Sequence, residues 1–226
     1  MFSMSCQLRN FATFICLASI SSTMMANIYN GTAPTGSKSA IGEGLLAITD
    51  VDYETKENFE FDLERTTLAF GYASTLASKW DVMFLAGINL DSEIGTNDGS
   101  GFVLGAGLKR IVLTKKTVTL SLWGGLSYAR DNLDDLDVTV TEFHLGPNVS
   151  FAVNPDINIY GVLDLTVKSD GKADPDSSLV SSFSFERDNL ISLRLGGQFM
   201  VDNMIMRLEL ALSGEDSLYF GIGAPI

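Results

Sequence analysis

Usable cysteine is missing from this chain. Its 226 residues hold two, Cys6 and Cys16. Both fall in an N-terminal segment expected to be removed. What remains has no disulfide framework, no thiolate nucleophile and no zinc–thiolate site. Histidine is nearly as scarce, since His144 is the only one, and most metal sites need a second imidazole. Basic charge is short as well: 15 Lys and Arg stand against 28 Asp and Glu, a net charge of −13. That balance argues against nucleic acid, whose phosphates require a basic face. No internal apolar run reaches the 18 or more residues of a membrane-spanning helix. The Gly105-Ala106-Gly107 run is not a phosphate loop, because no Lys-Ser/Thr follows at a helix start. No cofactor is expected.

The first 26 residues have their own pattern. Arg9 is the only charged side chain among them and precedes an apolar run from Phe11 to Ile20. Ser21, Ser22, Thr23, Met24, Met25 and Ala26 follow. A basic start, a short apolar stretch and a small residue at the end describe a signal peptide cut after Ala26. Cleavage would remove 26 of 226 residues and leave 200, with 14 basic and 28 acidic side chains. Residues 27–40 are rich in Gly, Ser, Thr and Pro without periodicity and read as a flexible lead-in. A single domain over residues 41–226 is then expected.

That domain is written in twos. Trp80, Val82, Phe84, Ala86, Ile88 and Leu90 alternate with Asp81, Met83, Leu85, Gly87 and Asn89. Val118, Leu120, Leu122, Gly124, Leu126 and Tyr128 alternate with Thr119, Ser121, Trp123, Gly125 and Ser127. A period of two places the two sets on opposite faces of a strand. The spacing predicts ten strands, at about 42–53, 59–76, 80–90, 102–113, 118–130, 138–153, 157–168, a stretch ending near 201, 204–212 and 218–226. Merging weak pairs would give eight. In the second strand, Phe59, Phe61 and Leu63 have one parity and Leu68, Phe70 and Tyr72 the other. A bulge near Arg65-Thr66 is expected to reconcile them.

The connections alternate in kind. Tight turns at 77–79, 114–117, 154–156 and 202–203 alternate with acidic ones at 91–101, 131–137, 169–188 and 213–217. A closed antiparallel up-and-down transmembrane β-barrel, with apolar residues toward lipid and polar ones in the lumen, shows this asymmetry. A secreted soluble β-barrel binding protein would also alternate, but with more Lys and Glu on its solvated face. Here the second face is crowded with Gly, Ser, Thr and Asn, which suits a narrow interior.

On this alternation and turn pattern, residues 42–226 resemble the small outer-membrane β-barrel proteins of Gram-negative bacteria. The final strand carries part of the assembly signal of that class, in Tyr219, Gly221, Ala224 and Ile226. Ala224 and Ile226 stand where aromatics are common, and Pro225 between them donates no ladder hydrogen bond. The resemblance implies a bacterial outer-membrane location and contact with membrane lipid and lipopolysaccharide. It also implies the barrel-assembly machinery and periplasmic chaperones as partners.

Several charged residues share the inferred lumen face: Glu142, His144, Asp164, Lys168, Arg194, Arg207 and Glu209. Charges in a narrow, poorly hydrated lumen must be paired. They are expected to form an ion-pair network that plugs the barrel. A narrow porin-like passage for ions or small hydrophilic solutes is the alternative. No enzyme activity is expected. His144 lies mid-strand, no outer connection carries a histidine, and Ser150 is about 20 Å away along the strand. Asp170, Asp174 and Asp176 are weak candidates for a cation but lack calcium-loop spacing. The expected role is structural or one of surface interaction.

Overall fold

A computed structural model describes residues 40–77, 79–176 and 181–226. The expected signal peptide, and the lead-in up to residue 39, lie outside the described residues. Eleven strands follow in order: β1 (Ala40–Thr55), β2 (Glu60–Ala77), β3 (Trp80–Ile94), β4 (Asn97–Lys115), β5 (Val118–Leu133), β6 (Leu136–Asn154), β7 (Ile157–Pro175), β8 (Phe183–Arg187), β9 (Ile191–Val201), β10 (Met204–Ser213) and β11 (Asp216–Pro225). Each long strand pairs antiparallel with its neighbour, and β11 returns to β1 with Ile41 opposite Pro225. The result is a closed up-and-down barrel of ten spanning strands, as the alternation predicts. The five-residue β8 is an addition to them.

The outward faces are greasy. Trp80, Phe84, Ile88, Leu104, Leu122, Leu126, Leu145, Leu195, Leu208 and Phe220 are each between 36% and 52% exposed. A water-soluble barrel would not display such a continuous apolar belt. No second sheet or helix covers it among the described residues, which removes the soluble alternative. Of the aromatics near strand ends, Tyr160 and Tyr219 point inward and are buried.

Above the belt the polarity inverts. Along β1 the outward residues run Leu46, Ile48, then Asp50, Asp52 and Glu54, while Val51 and Tyr53 point inward and are buried. On β5 and β6, Leu133, Leu136, Val138 and Val140 are buried while Asp137, Thr139 and Thr141 face out. These inner residues join Leu63, Ala173 and Phe185 in one apolar cluster, with Phe61, Ile94 and Phe183 packed against it. The strands therefore rise beyond lipid and enclose an apolar core in water. Burying a side chain such as Leu63 fully contributes about 1.5–3 kcal/mol.

This inversion corrects two expectations. The stretches 91–101 and 131–137 are strand rather than loop, with two-residue turns at 95–96 and 134–135, and most of the described part of 169–188 is strand as well. The bulge expected in β2 is not needed: Phe61, Leu63, Arg65, Thr67 and Ala69 all face inward. Parity never changes there; the environment of the inner face does. The extra residue sits across the ladder on β3, where Thr66 pairs with Asp91 but Thr67 with Asn89, leaving Leu90 unopposed.

β8 makes the upper section narrower than the lower. It pairs with β7 (Gly171 opposite Phe185) and with β1 (Tyr53 opposite Arg187), above the tops of β9 to β11. Ten strands thus surround the membrane level and eight surround the cap. Gly171 is required at this junction, since any Cβ there would strike the Phe185 ring. Phe185 in turn meets Tyr53 and Phe61 edge-on, at ring-centroid distances of 5.2 Å and 5.0 Å.

Candidate functional site in the barrel interior

Below the cap, buried charge is spread around the inward face of the barrel, with Met83, Leu85, Val103 and Trp123 among it on β3 to β5. The charged residues fall into three groups.

The uppermost is centred on Asp131 of β5. Arg65 of β2 donates to its Oδ2 from Nη2 at 2.6 Å and from Nε at 3.0 Å. The other oxygen accepts from Asn89 and from the Ser92 hydroxyl at 2.8 Å. The Thr67 hydroxyl orients the Asn89 amide at 2.7 Å. Both oxygens of this fully buried carboxylate are therefore satisfied by donors from β2 and β3.

The middle group joins β6, β7, β8, β9 and the β10–β11 turn. His144 Nε2 lies 3.3 Å from Glu142, and its Nδ1 lies 3.2 Å from Asp164 and 3.3 Å from the Thr166 hydroxyl. A neutral imidazole donates from one nitrogen only, so contact with two carboxylates through both nitrogens is met by the imidazolium. Glu142 also accepts from Ser169 at 3.2 Å and Tyr53 at 3.4 Å. Arg194 bridges Asp164 at 2.9 Å and Glu215 at 2.8 Å, with its guanidinium 5.5 Å from the Tyr219 ring centre. Arg187 reaches down from β8 to Glu215 at 2.5 Å and to Glu142 at 3.8 Å. Its Nη2 donates to the carbonyl of Gly214 as well. One arginine thus ties the cap strand to β6 and to the β10–β11 turn.

The lowest group is looser. Arg207 lies 2.9 Å from Glu43, Lys109 is 3.7 Å from Asp81, and Glu209 is 4.0 Å from Arg194. The Tyr160 hydroxyl stands next to Glu209. Tyr160 fills the space beside them, over Gly196, where a Cβ would collide with its ring.

Of the seven expected network residues, Glu142, His144, Asp164, Arg194, Arg207 and Glu209 are inward and buried. Lys168 is not. A bulge at Val167 lets Phe143 pair with Lys168 and His144 with Thr166, which turns the Lys168 side chain outward. It is 72% exposed and pairs with Asp170 at 3.4 Å. Sequence reasoning missed Glu43, Arg65, Asp81, Lys109, Asp131, Arg187 and Glu215. The parity signal for Glu43 was present in Leu45 and Ala47. Asp131, Arg187 and Glu215 were hidden because their segments read as loops. Among the described residues the interior holds seven buried carboxylates against four arginines and one lysine, with His144 as a further cation.

The outer acids are arranged differently. Asp174 pairs with Lys172 at 2.5 Å and Asp170 with Lys168, so two of the three weak cation candidates already have ammonium partners. No three carboxylates of the described residues converge as metal ligands. Of the assembly-signal residues, Tyr219 and Gly221 face the interior, whereas Ala224 and Ile226 face out.

No protein-family model and no curated protein matches the sequence. The fold has clear counterparts among solved structures. The outer membrane protease OmpT from Escherichia coli aligns over 87% of this chain and 99% of its own, at 9% identity and a TM-score of 0.57. The translocator domain of the autotransporter NalP from Neisseria meningitidis aligns over 89% and 92%, at 12% identity and a TM-score of 0.52. A closed barrel of this fold, belted with apolar side chains and polar within, is an integral outer-membrane β-barrel protein.

Proposed function

We propose that this barrel has a structural or surface-interaction role, presents its acidic cap outside the membrane and does not conduct. The observation that carries this reading is the burial and pairing of the interior charges. Arg65, Arg187, Arg194 and Arg207 are each no more than 4% exposed and pair with carboxylates on other elements. Above them the apolar cluster and β8 cover the opening. Paired buried charges of this kind are costly to separate, so they act as a plug.

The reading is also non-enzymatic. His144 is 3% exposed. The nitrogen facing the Thr166 hydroxyl is the one that faces Asp164, so acid and nucleophile are not on opposite sides of the ring. The likeness to a protease is a likeness of fold at 9% identity. Membrane lipid and lipopolysaccharide surround such a barrel. The partial C-terminal signal supports the barrel-assembly machinery, with periplasmic chaperones, as its route into the membrane.

A narrow channel is the second reading. It is favoured by the looser lower group, where Lys109 stands 3.7 Å from Asp81 and Arg194 4.0 Å from Glu209. Purified protein in planar bilayers separates the two. We expect no stepwise conductance; discrete openings would replace the plug with a channel.

A further inference from the structure

We propose that the rim of tight turns spanning β3 to β5, the periplasmic end of a barrel whose short turns lie on that side, is a binding site for an anionic phospholipid of the inner leaflet. At this corner Lys79, Arg110, Lys115 and Lys116 are all exposed. The Lys79 carbonyl accepts from the Ile111 amide at 2.9 Å, which sets Lys79 beside the lower part of β4. Arg110 lies opposite Trp80 in the ladder, with its guanidinium 5.2 Å from the indole centre. Trp80 is itself 40% exposed and faces outward. An indole and guanidinium stacked on an outward face suit the membrane interface.

Three features make the corner specific rather than merely basic. The first is the absence of competing acid. Over the lower halves of β2 to β6, the one carboxylate among the described residues is Asp81, which faces inward to Lys109. The other two short turns carry Asp156 and Asp202 instead, so among the described residues the positive charge of the rim is gathered on this side. The second is the apolar surface between the cations. Val112 (46% exposed) and Leu113 (53%) separate Arg110 from Lys115, with Val118 (40%) alongside. The third is span: Arg110 and Lys115 are about 15 Å apart along the strand. A phosphodiester headgroup held by cations, with an acyl chain lying over Val112 and Leu113, matches this amphipathic pattern. A free anion would use the cations but not the apolar strip. A cation near an anionic lipid surface contributes about five-fold in affinity.

The test uses the mature chain in neutral lipid, with Trp123→Phe so that Trp80 is the remaining indole. Brominated phosphatidylglycerol and brominated phosphatidylcholine are compared as quenchers of Trp80 fluorescence at equal mole fraction. The expected result is a preference of about five-fold or more for phosphatidylglycerol. It should collapse to parity in Arg110→Gln/Lys115→Gln and persist in Lys168→Gln/Lys172→Gln, whose changes lie at the other end. Equal quenching in the unsubstituted rim would overturn the proposal, as would a preference that survives Arg110→Gln/Lys115→Gln. Relief of the preference by millimolar inorganic phosphate would assign a general anion site and overturn the lipid. If Trp123→Phe fails to fold, native mass spectrometry of the otherwise unaltered chain reads the same preference: selective retention of phosphatidylglycerol supports the site, and equal retention of both lipids overturns it.

Discussion

Arg194 is the side chain on which most of the interior depends. It touches Asp164 and Glu215 directly, approaches Glu209, and stacks on Tyr219. Removing one member of a buried ion pair leaves its partners charged and unsolvated. Arg194→Ala is therefore expected to destabilise the barrel by about 3–5 kcal/mol, measured by guanidinium unfolding in micelles. Lys168→Ala should change stability by less than about 0.5 kcal/mol, because its exposed pair with Asp170 contributes little. Equal effects of the two would refute the assignment of Arg194 to the network's centre. These residues also show what the sequence could disclose. Parity alone placed Glu142, His144, Asp164, Arg194, Arg207 and Glu209 inside. It failed for Lys168 because one unopposed residue, Val167, flips everything after it until the next irregularity.

At the scale of elements, the outer wall of the cap is set against itself. Asp50 of β1 stands directly opposite Glu64 of β2 and Asp216 of β11, while Asp52 faces Asp62 and Glu54 faces Glu60. Glu64 in turn faces Glu93 of β3. Like charges directly opposite are unfavourable. Partial burial, and then the nearby carboxylates of Asp62, Glu64, Asp52 and Asp216, hold the Asp50 pKa above the ordinary aspartate value. A carboxyl whose pKa is raised by folding destabilises the fold once it ionises, so its cost is present at neutral pH and fades on acidification. Asp50→Asn should stabilise the barrel at pH 7 by about 0.5 kcal/mol, less at high salt, and by nothing near pH 3. A destabilising effect at neutral pH would show instead that the row is held by a partner. The strands themselves were legible from alternation within the lipid belt. Their upper continuations were not, because a run such as Asp131 to Asp137 resembles an acidic loop when read without its inward Leu133 and Leu136. The period of two persists through both zones; what changes is which face is wet.

The whole molecule is two barrels on one set of strands: ten strands in lipid, eight in water. Closure leaves no strand with a free edge, which is why such barrels resist detergent. Unboiled protein is expected to migrate differently from boiled protein on a denaturing gel, and identical migration would argue against a closed barrel. The level at which leucine gives way to carboxylate works as a ratchet. To reach its seat, each hairpin must push an acidic tip through hydrocarbon. To leave again, it would have to drag that tip back, at a cost in the bilayer centre that charged side chains make steep. The lifetime of the inserted molecule is then governed by the height of that barrier more than by the depth of the well it sits in.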